Sequence, residues 1–280
     1  PGGTVTGSSD YAITVTVPND PAYNNPGASS VKKGVFTEGR TVPIDSFAMA
    51  KYETTRTLWY TVAAWALANG YQFQNPNAAA PGGSNGNLPV TGISWRDAIV
   101  WCNAYSQKEG KEPVYRSGGS LLKNSTDAAA CDNAVMDKTK NGYRLPTEVE
   151  REFAARGGDP GQAAWMFTYA GSNAPDTVAW HHGNSPFQTK PVGTKTANSL
   201  GIYDLSGNVQ EWCWDWMDWA VDVTTATPVD GAYHGTMAGQ KPFNGGGAGS
   251  NVTMSSVVYR WGYEPGYTDG YVGFRVVCKP

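Results

Sequence analysis

Four cysteines, Cys102, Cys131, Cys213 and Cys278, and three histidines, His181, His182 and His234, are the strongest nucleophiles and metal ligands in the chain. Their spacing supports little of the chemistry they could do. No C-x-x-C pair occurs, which disfavours zinc and thioredoxin-like redox chemistry; two disulfides and four reduced thiols both fit. The adjacent histidines lack a His-x-x-x-His spacing, so a zinc-protease helix is excluded and surface histidines are expected. The cluster Gly245-Gly246-Gly247-Ala248-Gly249 lacks the Lys-Ser/Thr of a phosphate loop and reads as a flexible or tightly turning loop. No G-x-S-x-G elbow is present. The run from Glu211 to Trp219, if extended, puts Trp212, Trp214 and Trp216 on one face and Glu211, Cys213, Asp215 and Met217 on the other. Paired carboxylates could exchange protons, but carboxylates bracketed by aromatics more often bond loop backbone, so a core face against a polar face is expected.

The segment from Gly249 to Tyr271 carries the chemistry of recognition instead. Twelve of its 23 residues are Tyr, Ser, Gly or Asn, a mixture in which Tyr gives rigid contact area and the small polar residues give adaptable hydrogen bonds. A tyrosine-rich surface loop with no partner has the same composition, so both readings stand on composition alone.

These groups need a scaffold, and the composition allows one. Charged residues are 16% and hydrophobic residues 40%, which describes a folded chain with a sizeable core. With 34 Gly and 18 Pro, turns and irregular segments should dominate. The net charge of −3 and the absence of a Lys/Arg cluster argue against nucleic acid as a partner. No apolar run approaches the roughly 18 residues of a transmembrane span. The start at Pro1, with neither Met nor an apolar leader, fits a removed export signal.

The elements follow from local signals. Alternation predicts a strand from Tyr11 to Val17, then a long loop to Pro43 and a short strand from Phe47 to Tyr52. Thr54 should cap a helix to Ala68, closed by Asn69-Gly70. Ser94 and Asp97 form a capping box for a second helix that buries Trp95, Ala98, Ile99, Cys102 and Tyr105 and runs up to Gly110. Thr147 and Glu150 cap a third, ended by Gly157-Gly158. Strand-like runs from Trp212 to Trp216 and from Phe274 to Cys278 punctuate an irregular second half. No linker divides the chain, so one α+β domain is expected.

Five blocks in order, MAKYETT (49–55), LPVTGISWRDAIVWCNAYS (88–106), NGYRLPTEVEREFAARGG (141–158), PVGTKTANSLGIYDLSGNVQEWCWDW (191–216) and GFRVV (273–277), resemble the formylglycine-generating-enzyme or sulfatase-modifying-factor family. The resemblance implies a C-type-lectin-like fold: an antiparallel sheet, two main helices and much irregular chain. It divides the sequence into an N-terminal strand and loop over 1–45, packed on a single domain over 46–280. The family's enzymes use a cysteine pair with copper. Here the matching positions are Gly247 and Val252, and no cysteine stands between Cys213 and Cys278. The resemblance therefore implies a member that is not an enzyme and takes no copper. Arg151 stands where the family usually has Trp.

A subset is more similar still: the variable proteins of diversity-generating retroelements, that of Treponema among them. In these a C-terminal segment ending at GFRVV is rewritten while the scaffold stays fixed, which here implies a variable face over about 249–271. Its contact residues would be Ser250, Asn251, Thr253, Ser255, Tyr259, Trp261, Gly262, Tyr263, Glu264, Tyr267, Thr268, Asp269 and Tyr271. By position, the family's calcium loop would use Asp204 and Glu211 with the carbonyls of Gly207 and Val209, and oxygen ligands on a tight loop suit that ion. A family disulfide would join Cys102 and Cys278. The function so implied is a monomeric ligand-binding protein displayed extracellularly or at the cell surface, through a removed lipoprotein signal. It requires no cofactor, and its partner is a protein or another cell-surface ligand. The competing readings are a family enzyme working without the cysteine pair, and a calcium-dependent lectin, whose sugar triplets only Glu264-Pro265-Gly266 and Trp214-Asp215-Trp216 approach.

Overall fold

The computed structural model describes residues 4–7, 13–16, 34–35, 41–76, 86–159, 161–217 and 239–280. Tyr11 and Val17 of the first expected strand, most of the loop before Pro43, and Asp218, Trp219 and His234 lie outside the described residues. The strands are β1 (Thr4–Gly7), β2 (Ile13–Thr16), β3 (Thr41–Ile44), β4 (Phe47–Ala50), β5 (Tyr115–Ser117) and β6 (Ser120–Leu121), followed by β7 (Val135–Met136), β8 (Gln210–Trp212), β9 (Lys241–Asn244), β10 (Arg260–Tyr263), β11 (Val272–Gly273) and β12 (Val277–Cys278). The helices are α1 (Arg56–Ala68), α2 (Trp95–Lys108), α3 (Ala128–Asp132), α4 (Glu148–Ala155) and α5 (Pro175–Val178). Two long helices among short, mostly antiparallel strands form the expected α+β architecture; α3 and α5 are too short to leave a periodic signal.

Sheet connectivity ties distant parts of the chain together. β4 lies between β1 and β12, which brings residues 4–7 and 277–278 into one antiparallel sheet. The second sheet has the order β10-β9-β8-β11, antiparallel except for β8 with β11. β2 pairs with β3, and β5 lies between β6 and β7.

Local chemistry explains the helix ends. Thr55, one residue later than expected, caps α1 by accepting the Leu58 N–H at 3.2 Å. The backbone of Thr54 is already committed, donating to Phe274 O and accepting from Val90 N, so the next hydroxyl takes the cap. The Ser94–Asp97 and Thr147–Glu150 capping boxes both form as expected. Gly70 and Gly157, with φ of 80° and 90°, supply the left-handed turns that close α1 and α4.

The core has two parts. In the first, α1 packs on α2 with Trp59 and Trp101 stacked at 5.8 Å, and the Phe274 edge lies against both rings. The Trp101 Nε1–H donates to Trp59 O at 3.1 Å, which satisfies one buried indole inside the stack. The second gathers Met49, Phe153, Trp165, Ile202 and Val277 around α4. Every residue of α4 is buried, its four charged side chains included.

All four cysteines are free and buried, so the expected Cys102–Cys278 bridge is absent. Cys102 is packed in the α1/α2 core as a small apolar group. Burial pushes both thiols up, which keeps them protonated.

Asp97 does more than cap. Buried completely, its carboxylate also accepts Ser125 Oγ at 2.6 Å, Gln74 N at 3.0 Å and Asn75 Nδ2 at 2.8 Å. Losing a cap alone costs about 1 kcal/mol. Asp97→Ala is expected to cost about 2–4 kcal/mol by urea denaturation, because these other donors are left buried and unpaired.

Candidate functional site

The segment 249–271 leaves the buried glycine turn 245–248, forms a 3-10 turn over Val252–Ser255, runs as β10 and returns by a loop to β11. Three anchors hold it. Arg260 makes a two-pronged ion pair with Glu148 of α4, Nε to Oε1 at 2.7 Å and Nη2 to Oε2 at 2.5 Å. The loop after β10 docks on the N-terminus of α2, where Arg96 N donates to Pro265 O and Gly92 N to Asp269 O. Gly262 allows close passage, since a Cβ there would lie 3.0 Å from Lys241 O and 3.2 Å from Met217 Cγ.

The expected contact residues divide by exposure. Asn251, Thr253, Tyr263, Glu264 and Thr268 are exposed, while Ser250, Trp261, Tyr267, Asp269 and Tyr271 are half-buried. Ser255, Tyr259 and Gly262 are buried. This corrects their expected role: they pack beneath the face and present no side chain to it. On the surface, the Tyr263 and Tyr267 rings stack at 4.0 Å, backed by the parallel ring of buried Phe243 at 6.1 and 6.4 Å. Asp269 orders the loop, accepting Tyr271 N at 2.8 Å and the Tyr267 hydroxyl at 3.3 Å.

One residue of this face lies outside the segment. Phe187 is 62% exposed and holds a φ of 55°, a left-handed conformation that a bulky side chain rarely adopts. The Tyr271 hydroxyl donates to Phe187 O at 3.1 Å, and the exposed His182 ring lies edge-on at 4.6 Å. Nothing in the sequence marks Phe187, because a positive φ is legible for Gly or Asn but not for Phe. His181, expected at the surface, is instead buried, with Nε2 toward Asp176 at 2.9 Å and Nδ1 accepting Gly183 N.

Beneath β10 the alternation read for 211–217 fails. Strand β8 ends at Trp212, and both expected faces are interior: Glu211, Cys213, Asp215 and Met217 are as buried as Trp212 and Trp214. The supposed polar face is covered by α4 and β9. Lys241 of β9 is buried with Nζ 3.9 Å from the Trp95 ring centre and 3.6 Å from that of Trp216, and it donates to Trp214 O at 3.0 Å. Its amino group is thus enclosed by indoles, and burial draws its pKa well below the usual lysine range. Asp215 accepts Glu148 N at 2.7 Å. Burial, and then the neighbouring Glu148 carboxylate, push it up to about 7.

The resemblance offered the GNVQEW bend as a candidate calcium loop, and the side chain of Glu211 is turned to other partners. Glu211 Oε2 accepts Arg151 Nε at 2.9 Å and Arg275 Nε at 3.0 Å, while Oε1 accepts Arg275 Nη2 at 2.6 Å. Both oxygens are thus directed at guanidinium groups. Burial works to raise the Glu211 carboxyl, and the two arginines outweigh it and hold it below its usual value. Asp204 Oδ2 accepts Gly193 N at 2.6 Å, Oδ1 has no hydrogen-bond partner, and burial pushes the group up to about 6. Val209 N and Asn208 Nδ2 donate to buried Glu53, which fixes the bend from its other side. Among the described residues no three acidic, His or Cys side chains converge as metal ligands. At the positions of the family's cysteine pair, Gly247 is wedged against Tyr271 and Asn208 O, with 3.3 Å to either from an added Cβ, and Val252 lies in the 3-10 turn.

Comparison with known proteins places this geometry. The model of the sulfatase-modifying factor enzyme 1-like domain matches residues 14–280. The chain is 38% identical over 225 residues to the chaperone protein LppX of Paenibacillus barcinonensis, covering 72% of this chain and 73% of that protein. It is 32% identical over 165 residues to the formylglycine-generating enzyme of Thermomonospora curvata, covering 53% of this chain and 54% of the enzyme. The structure of Treponema denticola variable protein 1 superposes with a TM-score of 0.72 at 28% identity, covering 96% of this chain and 93% of that one.

Two measurements probe the site. Asp215 binds its proton more tightly in the folded state, so its contribution to stability is complete below about pH 4 and is lost as pH rises through about 7. The difference in urea midpoint between the wild type and Asp215→Asn is expected to change across that window and to be flat above it. At position 187 two variants lose the same ring, but only glycine accepts the backbone. Phe187→Gly is expected to be more stable than Phe187→Ala by about 1 kcal/mol in the same assay.

Proposed function

The chain belongs to the sulfatase-modifying factor enzyme 1-like domain family, and on that premise we propose that it is a non-catalytic ligand-binding protein, displayed at the cell surface, whose residues from about 249 to 271 form a recognition face diversified by a retroelement. The observation that carries this reading is the division of labour inside that segment. Ser255, Tyr259, Arg260 and Gly262 are buried, while Asn251 and Thr253 before them and Tyr263, Glu264 and Thr268 after them are exposed. A segment built this way can change its outward residues without changing its path. The stacked Tyr263 and Tyr267 and the exposed Phe187 are rigid anchors of the kind that dominate protein recognition, and the Asn and Thr side chains supply adaptable polar contacts.

The likeness to Treponema denticola variable protein 1 along nearly the whole chain supports the reading. So does a relative named as a chaperone protein, in keeping with family members that act without catalysis. Gly247 and Val252 leave no thiolate at the copper-cysteine positions, which supports a binding protein over an oxidase. Among the described residues no helix is long and apolar enough to cross a membrane.

Two libraries of the full chain test the proposal. Randomising Asn251, Thr253, Tyr263, Glu264 and Thr268 is expected to leave most clones folded, with thermal midpoints within a few degrees of wild type, and to yield clones that bind an unrelated protein such as hen lysozyme. Randomising Ser255, Tyr259 and Gly262 is expected to abolish folding in most clones. Equal loss of folding in both libraries, or aldehyde formed on a sulfatase-motif cysteine peptide in the presence of copper, overturns it.

A further inference from the structure

Arg151 is completely buried and sits where three separate stretches of chain meet. From α4 its Nε donates to Glu211 Oε2 at 2.9 Å, and its Nη2 to the carbonyl of Leu205 at 3.1 Å. On the third side is the glycine turn: a Cβ on Gly245 would lie 2.2 Å from Nη2, and the residue holds a φ of 96°. The room for the guanidinium is therefore made by a position that only glycine fills well. Of the oxygens assigned to the calcium ion, Arg151 takes the carboxylate of Glu211, and it adds the neighbouring Leu205 carbonyl of the same bend. The charge is supplied here by a side chain. Placing a divalent ion against Glu211 as well would bury it beside Arg151 and Arg275 with no anionic oxygen of Glu211 turned away from them.

We infer that Arg151 is the resident cation of the 204–211 bend, standing in place of the calcium ion, so that the bend supporting the 249–271 face is held without a metal. A lysine would not do the same, because the two acceptors lie in different directions and need the fixed fork of a guanidinium. The inference is independent of what the face binds.

Thermal unfolding of the full chain tests it. The wild type is expected to melt at the same temperature in calcium chloride and in EGTA, and a calcium effect that Asp204→Asn leaves unchanged belongs to another site and agrees with this result. A midpoint that falls in EGTA, with the calcium effect abolished by Asp204→Asn, overturns the inference. Arg151→Ala is expected to lower the midpoint by about 10 °C, and low millimolar guanidinium chloride to restore part of it where sodium chloride does not. An Arg151→Ala protein as stable as wild type also overturns it. If that variant does not fold, Arg151→Lys, which keeps the charge but loses the fork, is expected to melt below the wild type; an unchanged midpoint would count against the inference.

Discussion

A charged side chain taken out of water must find a partner of opposite sign, and in α4 that requirement falls on four side chains in a single buried helix of eight residues. Glu148 pairs with Arg260 of β10, Glu150 with Arg144 just before the helix, Arg151 with Glu211 of β8, and Glu152 with Arg156 one turn later. Glu152 also accepts the Val35 N–H, and Arg275 closes the set from the far side of Glu211. Apolar contacts would tolerate small slips between these elements. Paired ions do not, because removing one partner strands the other at a cost of about 3–5 kcal/mol. The relative placement of the second sheet, the 204–211 bend and the C-terminal strand is thus set electrostatically, while the bulk of the burial energy comes from the aromatic packing around α1 and α2.

That arrangement explains how an irregular surface segment keeps a defined path. Between the glycine turn and β11 the chain has few regular hydrogen bonds of its own, and it is fixed instead at discrete points: Arg260 on Glu148, Gly262 against Met217 and Lys241, and the loop carbonyls of Pro265 and Asp269 on the start of α2. Lys241, held among three indoles, forms part of the floor under β10. None of these fixing groups is an outward side chain, so the path of the segment is set from beneath it.

How much of this the sequence discloses depends on the range of the interaction. The capping boxes at Ser94 and Thr147 were readable because both partners lie within one turn, and the motif order identified the family and its fold. The one-residue error at Thr54 arose from pairing with Phe274, far along the chain. The same limit hid the character of 211–217, whose alternation describes an exposed strand until α4 and β9 cover the second side. Burial of Tyr259 could not be told from exposure of Tyr263 by composition, because both are tyrosines in a loop-like stretch. Phe187 was invisible for another reason: its importance lies in a backbone angle that its residue type does not advertise.

Among the described residues β10 is an edge strand of its sheet, and the segment it belongs to is held to the interior by inward side chains, by pairing with β9 and by the carbonyls of Pro265 and Asp269. A change at Glu264 or Thr268 therefore disturbs none of these anchors, while Tyr263 and Tyr267 also rest on buried Phe243. The path of the chain and the side chains it exposes are thus specified by different residues.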